Sequence, residues 1–162
     1  MNVVDLSPVV KVLDIGRPAA VAFRLFTEEI GGWWPMATHS LARSALGERT
    51  VRVAFEPRVG GRIFETLSTG EERDWGEVLV YEPGLRVAFT FQMGRPKEKS
   101  GEVEVRFDQI DEMSCRVTLT HRGWERLGED AAVMRGRFAD GWEPVFVTGF
   151  GTFAGRIQER AI

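Results

Sequence analysis

The middle of the chain alternates between apolar and polar residues, and this alternation limits the fold more than any other feature of the sequence. Val51, Val53 and Phe55 lie in phase on one side of such a run, while Arg52 and Glu56 lie on the other. A period of two residues is typical of antiparallel strands that bury one face and expose the other. The pattern predicts about seven strands, over residues 9–15, 51–56, 62–67, 75–81, 85–91, 103–107 and 113–121.

Short turn sequences separate the predicted strands. Pro57 with Gly60-Gly61, and the pair Pro83-Gly84, carry residue types that close hairpins. Strands that follow one another through hairpins pair antiparallel and form a meander. The longer, charged segment 93–100 predicts a loop between two of these strands.

Two segments with helical periodicity flank the predicted strands. The first begins near Pro18, a residue type favoured at the first helical position, and ends at Gly31-Gly32. Near the end of the chain, apolar residues recur every three or four positions and predict a helix of about 25–28 residues. The residues of this stripe are Met134, Phe138, Trp142, Phe146, Phe150, Phe153 and Ile157. Pro144 lies inside the stripe, so we expect a kink between Gly141 and Pro144.

The order of these elements predicts an α+β fold, in which a curved antiparallel sheet of about six or seven strands wraps around the long C-terminal helix. A sheet with one apolar face needs a cover, and the apolar stripe of the helix supplies it. The chain has 11 Phe and 5 Trp but 1 Tyr, so aromatic rings would fill the space between sheet and helix or form the wall of a cavity. We expect residues 1–162 to form a single domain.

Charge and composition exclude several classes of partner. The chain carries 21 Lys and Arg against 24 Asp and Glu, a net charge of −3, which argues against binding to nucleic acid or to an anionic membrane surface. No apolar run approaches the ~18–20 residues that span a bilayer, and residues 1–7 lack the pattern of a signal peptide. The single Cys115 excludes an internal disulfide. We therefore expect a cytoplasmic protein.

Several short motifs, taken in their order and spacing, resemble one known superfamily. The motifs are Trp33-Trp34-Pro35, Phe55-Glu56-Pro57-Arg58-Val59-Gly60-Gly61, Trp75-Gly76-Glu77-Val78, residues 83–91, Leu119-Thr120-His121-Arg122-Gly123-Trp124 and Gly141-Trp142. Over residues 9–157 the chain resembles the SRPBCC (START-like, Bet v 1-like) superfamily, specifically the group related to the C-terminal domain of the heat-shock protein 90 ATPase activator. The resemblance implies a helix-grip fold with a hydrophobic pocket between the sheet and the long helix. It implies little about chemistry, because the superfamily contains lipid carriers, hormone receptors and cyclases.

No spacing of residues supports a metal or cofactor site. The two histidines, His39 and His121, are far apart in the sequence, and the chain has neither a His-x-x-x-His nor a Cys-x-x-Cys pair. Gly60-Gly61 lies between predicted strands rather than before a helix, which argues against a phosphate-binding loop. Cys115 alternates in phase with Val117, as a small buried residue would. We predict neither a metal nor a cofactor.

Two carboxylates, Glu65 and Glu77, lie in phase with apolar neighbours in their strands. A buried carboxylate is costly unless it is paired. One interpretation is that one of the two points into the cavity, where it anchors the polar end of a ligand or acts as a general acid or base with His39. The alternative is that both carboxylates face water and that Phe64 and Val78 point inward instead.

The residues predicted to contact a ligand are mainly aromatic side chains, with His39 and Glu65 as polar contacts. They are Trp33, Trp34, His39, Phe55, Phe64, Glu65, Trp75, Phe89, Phe91, Phe107, Phe138, Trp142 and Phe146. Several tryptophans lie near strand or helix ends, which suits either the mouth of a cavity or a plug at the end of the sheet. Residues 37–46 lack clear periodicity and could form a loop that gates such a mouth.

The sequence favours a protein that binds a small hydrophobic or amphipathic molecule between the sheet and the C-terminal helix, rather than an enzyme. A second hypothesis is an enzyme of the cyclase, hydrolase or dehydratase type that uses Glu65 or Glu77 with His39. A third is a protein-interaction module that acts like a co-chaperone. Exposed strand edges or the long helix would also suit a homodimer. A carrier or sensor needs a closed apolar cavity of at least ~300 Å³. An enzyme needs, in addition, two ionisable side chains within reach of one reacting atom.

Overall fold

The structure is a computed structural model that describes residues 4–157. Seven strands form one antiparallel sheet, as the alternation predicts. The strands are β1 (Val9–Ile15), β2 (Thr50–Phe55), β3 (Arg62–Leu67), β4 (Glu72–Glu82), β5 (Arg86–Phe91), β6 (Gly101–Asp111) and β7 (Ser114–Arg122). Their order across the sheet is β1-β7-β6-β5-β4-β3-β2, so β2 to β7 form a meander and β1 lies beside β7. The sheet curls into a half-barrel around the C-terminal helix, which confirms the predicted α+β helix-grip fold.

The helices flank the meander, as predicted. Helix α1 (Ala19–Thr27) follows β1, with Pro18 just before its first residue. The C-terminal helix consists of α2 (Ala131–Trp142), a π-helical stretch (Glu143–Phe150) and α3 (Gly151–Ala154). Short 3-10 segments lie at Ile30–Gly32, Ser44–Leu46, Lys97–Lys99 and Trp124–Asp130. Within the described part of the chain, no helix combines the length and the apolar character needed to cross a membrane.

The C-terminal helix changes type at Pro144, where the sequence predicts a kink. The helix continues through this proline in the wider turns of the π-helical stretch. A stripe of residues spaced by four drifts by about 40° per step around an α-helix, and wider turns reduce that drift. Trp142, Phe146 and Phe150 therefore all face the sheet, and at most 2% of each is exposed.

The last part of the predicted apolar stripe is wrong. Phe153 and Ile157 are 38% and 50% exposed, whereas Ala154 is fully buried. Ala154 lies four residues after Phe150 and continues the spacing that points toward the sheet. The predicted stripe takes a step of three residues from Phe150 to Phe153 and so leaves the buried side of the helix.

The inner face of the sheet carries most of the apolar residues that the alternation assigns to it. Val103 and Phe107 of β6, for example, are at most 2% exposed. Val51 is an exception and is 48% exposed. The pairing of β2 with β3 shifts between Thr50 and Arg52, and this bulge reverses the direction of the side chain at Val51.

A second bulge, in β4, sends Trp75 and Glu77 to opposite faces of the sheet. The register between β3 and β4 shifts between Ile63 and Phe64, which leaves Trp75 as the extra residue. Trp75 is fully buried on the inner face, whereas Glu77 lies on the outer face and forms an ion pair with Lys97. Two residues separated by one position share a face only in a regular strand. Glu77 therefore faces water, as one of the two interpretations of the sequence expects.

The bulge in β4 depends on Gly76. A Cβ atom at this position would lie 1.8 Å from the carbonyl oxygen of Thr90 in β5. We expect Gly76→Ala to lower the free energy of unfolding by about 2–3 kcal/mol, because backbone must move to admit the methyl group. Urea denaturation measures this loss. Gly136→Ala is the control, since a Cβ there meets open space and alanine favours the helix; equal stability of the two variants would contradict the bulge.

Candidate functional site

A cavity of about 150 Å³ lies between the inner face of the sheet and the C-terminal helix. Buried residues form its floor, and half-buried residues surround its mouth. The floor residues are Trp34, Phe91, Trp142 and Val145, and the mouth residues are His39, Ser40, Met93, Phe138 and Gly141. None of these lining side chains carries a permanent charge, so the cavity is an apolar site with two polar side chains at its mouth.

A buried hydrogen bond between sheet and helix fixes the floor. The indole Nε1–H of Trp142 donates to Nδ1 of His121, with 3.1 Å between the two nitrogens. Burial lowers the pKa of His121 to about 3, so the imidazole is neutral at pH 7 and Nδ1 can accept. The ring of Trp142 also stacks on Phe91, with 5.3 Å between ring centroids. Trp142 is thus held in one orientation by a polar and an aromatic contact.

The importance of His121 was missed in the sequence analysis, although the alternation contains the signal. His121 follows Cys115, Val117 and Leu119 at intervals of two residues in β7, and all four are at most 1% exposed. A histidine in phase with a buried face must find a partner for its ring nitrogens. Here that partner is Trp142, from the opposite element of the fold.

Part of the 37–46 loop lines the mouth of the cavity. His39 and Ser40, both in this loop, line the cavity. The indole Nε1–H of Trp34 donates to the carbonyl oxygen of His39 across 2.6 Å. Nδ1 of His39 lies 2.8 Å from Oγ1 of Thr38. The loop is therefore tied to the floor of the cavity through Trp34.

The buried side chain of Glu65 in β3 anchors the same loop. Its carboxylate is fully buried and accepts hydrogen bonds from the backbone N–H of Leu41 at 2.6 Å and from Nε1–H of Trp75 at 2.7 Å. The hydroxyl of Thr50 donates to the other carboxylate oxygen. Glu65 thus points inward, as one of the two interpretations proposed. Its oxygens are engaged by the protein itself, and it does not line the cavity.

Arg73 holds Leu41 from the opposite side. Its guanidinium donates to the carbonyl oxygen of Leu41 at 2.9 Å and pairs with Glu48 at 2.6 Å. Hydrogen bonds from Arg73, with smaller contributions from Arg43, lower the pKa of Glu48 to about 2, so this pair stays ionised at neutral pH. Leu41 is therefore held at both its N–H and its C=O, and the position of the neighbouring Ser40 follows.

The predicted ligand contacts fall into two groups. Those that line the cavity are Trp34, His39, Phe91, Phe138 and Trp142. Those that lie elsewhere are Trp33, Phe55, Phe64, Glu65, Trp75, Phe89, Phe107 and Phe146. Ser40, Met93, Gly141 and Val145 line the cavity without having been predicted, because no periodic pattern distinguishes loop residues or a helical glycine.

The predicted contacts outside the cavity have separate places in the fold. Phe55 and Phe89 pack edge to face, with centroids 5.8 Å apart. Phe107 packs beside Phe26 of α1 at 6.2 Å. Phe64 lies on the outer face of β3, where the guanidinium of Arg62 sits 4.1 Å from the ring centroid.

We expect Glu65→Gln to loosen the 37–46 loop. An amide offers a single acceptor oxygen where three donors converge, and it loses the strength of a charged acceptor. The free energy of unfolding should fall by about 2 kcal/mol, and hydrogen exchange at the amide of Leu41 should accelerate. Glu77→Gln is the matched control on the outer face and should change stability by less than about 0.5 kcal/mol. Equal effects of both substitutions would place Glu65 in solvent.

We expect His121 to make stability depend on pH. Its folded-state pKa of about 3 lies below the ordinary value of 6.5, so the unfolded chain binds a proton that the folded chain excludes. This contribution to stability is complete above pH 6.5 and is lost as the pH falls toward 3, by about 2 kcal/mol between pH 7 and pH 5. Urea denaturation at several pH values should show a shallower dependence for His121→Asn than for the wild-type protein. A slope that persists in His121→Asn would contradict this assignment.

Solved structures share this fold. CalC, a self-sacrificing resistance protein from Micromonospora echinospora, superposes with a TM-score of 0.64 at 20% identity, over 92% of this chain and 94% of CalC. The Aha1 dimer from Colwellia psychrerythraea gives a TM-score of 0.61 at 14% identity, over 91% of this chain and 96% of that one. The anthrahydroquino-gamma-pyrone synthase Txn09 gives a TM-score of 0.57 at 27% identity, over 85% and 90% of the two chains.

A family model confirms the resemblance that the motifs suggest. Among curated proteins, no sequence matches the chain significantly. The model of the Activator of Hsp90 ATPase homolog 1-like proteins matches residues 17–152, which include the 37–46 loop, both carboxylates in question and the floor of the cavity. The chain therefore belongs to the Activator of Hsp90 ATPase homolog 1-like family, whose members have the Bet v 1-like (SRPBCC) fold.

Proposed function

We propose that the protein binds a small hydrophobic or amphipathic ligand in the cavity between the sheet and the C-terminal helix. The observation that carries the proposal is an uncharged, aromatic-lined cavity whose polar side chains lie together at its mouth. An apolar part of the ligand would contact Phe91 and Trp142, and a polar end would reach His39 or Ser40. Binding sites of this kind combine an apolar lining with a few placed polar groups.

The size of the cavity limits what it holds without rearrangement. At about 150 Å³ it is smaller than the ~300 Å³ that the sequence-based hypothesis expects of a carrier, so that expectation of size is wrong and the guest must be small. A larger guest would require the 37–46 loop to move away from Trp34. That movement breaks the contacts of Leu41 with Glu65 and Arg73, so these contacts would govern entry.

An enzyme is the second candidate, and it is favoured by the 27% identity to the synthase Txn09. His39 is the titratable side chain among the lining residues, so acid–base chemistry in the cavity would depend on it. Glu65 would act on His39 through the loop, since its oxygens already accept three hydrogen bonds. Glu77 lies on the outer face with Lys97. Burial raises the pKa of Cys115 to about 11, which argues against a thiolate nucleophile.

We expect a cytoplasmic protein that acts as one domain, in keeping with the free and buried Cys115. We also expect a homodimer, which the exposed Val10 and Val12 on the edge strand β1 would support. The Aha1 protein of Colwellia psychrerythraea forms a dimer, and analytical ultracentrifugation would measure the state of this chain.

Native mass spectrometry of the purified protein, followed by extraction of bound molecules, tests the proposed function. Gly141 lines the cavity, whereas Gly136 of the same helix does not, and a Cβ at either position meets open space. We expect Gly141→Leu to fill the cavity and to abolish retention of the guest, while Gly136→Leu leaves retention unchanged. A wild-type protein that carries no guest and takes up neither a small aromatic nor a small aliphatic alcohol would contradict the proposal, as would equal retention by both variants.

A further inference from the structure

We propose that the preferred ligand is a neutral molecule with a single aromatic ring and one hydrogen-bond donor, of which phenol is the simplest example. This inference rests on the proposed function and narrows the class of ligand. Four properties of the cavity lead to it: the volume, the aromatic wall, the hydrogen bonds already made by that wall, and the absence of charge among the lining residues.

The volume matches one ring. Apolar cavities of about 150 Å³ in protein interiors accept benzene-sized guests, and this cavity has a volume of about 150 Å³. A fused pair of rings would exceed that space unless the 37–46 loop opened. The cavity is open at its mouth, so the space within its walls fits a single ring and a second ring would extend into water.

The wall favours an aromatic ring over a saturated one. Four aromatic side chains surround the space, together with the thioether of Met93. These aromatic residues are Trp34, Phe91, Phe138 and Trp142. Trp34 and Trp142 meet edge to face at 6.0 Å and 85°, and Phe91 stacks on Trp142, so a guest ring can join either arrangement. Sulfur and aromatic rings also attract each other.

The indole N–H groups of the wall already donate to acceptors within the protein and are not available to a ligand. Trp34 donates to the carbonyl oxygen of His39 at 2.6 Å, and Trp142 donates to His121 at 3.1 Å. Both tryptophans therefore offer the guest only their ring faces and edges. The polar contact of a guest must be made at the mouth, with His39 or Ser40.

The hydrogen bonds around Ser40 determine which kind of polar group fits there. The single hydroxyl proton of Thr50 is directed to the carboxylate of Glu65. Oγ of Ser40 lies 3.0 Å from Oγ1 of Thr50, so the proton of Ser40 is directed to Thr50. Ser40 then presents a lone pair and no proton to the cavity. A ligand with an O–H or N–H group satisfies this oxygen, whereas an ether does not.

Charged ligands are excluded because the charged side chains near the cavity are already paired within the protein. The nearby carboxylate of Glu65 already accepts three hydrogen bonds, including that from Trp75. Arg73 lies on the other side of Leu41 and pairs with Glu48 and Glu71. An ionised group without a counter-charge is disfavoured in an apolar site, so neither a carboxylate nor an ammonium group should enter.

Isothermal titration calorimetry of the full chain at pH 7 with matched probes tests the proposal. Phenol carries the ring and the donor, cyclohexanol lacks the aromatic ring, anisole lacks the donor, and benzoate carries a charge. We expect phenol to bind most tightly, with cyclohexanol and anisole each weaker by about threefold to tenfold. Benzoate and benzylammonium should show no saturable binding.

Two serine variants locate the hydrogen bond. Ser40→Ala should bring the affinities of phenol and anisole to within about twofold of each other. Ser44→Ala is the control, because Ser44 is an exposed residue of the same loop, and it should preserve the wild-type preference. A preference that survives Ser40→Ala would overturn the assignment of the donor to this oxygen.

Other outcomes overturn the inference while leaving the proposed function in place. Cyclohexanol binding as tightly as phenol would refute the aromatic preference, and anisole binding as tightly would refute the donor. Tighter binding of benzoate or benzylammonium would refute neutrality. If the extraction experiment yields a guest of another chemical class while phenol fails to bind, only this inference fails; if no guest and no hydrophobic probe binds, the proposed function fails as well.

Discussion

The buried carboxylate of Glu65 is the interaction on which the shape of the cavity depends. A carboxylate at this depth destabilises the fold unless donors surround it. The donors come from three different parts of the chain, namely Leu41 in the 37–46 loop, Thr50 in β2 and Trp75 in β4. One side chain therefore decides where the loop crosses the mouth of the cavity. It also fixes Trp75, whose ring packs 4.7 Å from that of Trp34.

The hydrogen bond between His121 and Trp142 fixes the wall of the cavity that the C-terminal helix forms. It joins β7 to the C-terminal helix in the middle of an aromatic cluster, and neither partner has water as an alternative. Together with the bond from Trp34 to the loop, it turns both indole N–H groups away from the guest. The apolar character of the cavity thus results from polar groups that satisfy one another behind its wall. The same arrangement leaves His39 and Ser40 as the polar groups that a ligand can reach.

Regular parts of the fold could be predicted from the sequence, and irregular parts could not. Alternation in β6 identified Val103 and Phe107 as buried because the strand is regular between these two residues. A bulge adds one residue to a strand and breaks the period of two at that point. This is why Val51 was misplaced, and why Trp75 and Glu77 lie on opposite faces although they are two positions apart. No local signal other than a glycine marks such a position beforehand.

The candidate site was partly predictable for the same reason. Phe91 and Trp142 belong to periodic patterns that point to the space between sheet and helix. Ser40 and Met93 belong to loops, and the position of a loop depends on contacts made by distant residues such as Glu65. The sequence left the direction of Glu65 open between two interpretations. That direction depends on how β3 pairs with β2, where Glu65 lies opposite Val53 and a bulge lies nearby, and the sequence does not show this pairing.

The most direct test is to observe where a ring enters the protein. The 5 tryptophans give separate indole N–H signals in a nitrogen–proton correlation spectrum, and phenol can be titrated into the labelled protein. We predict saturable shifts that are largest at Trp34 and Trp142, whose rings line the cavity, and smaller at Trp33 and Trp124, which do not line it. Shifts that are largest at Trp33 or Trp124, or the absence of any saturable shift, would contradict binding at this site.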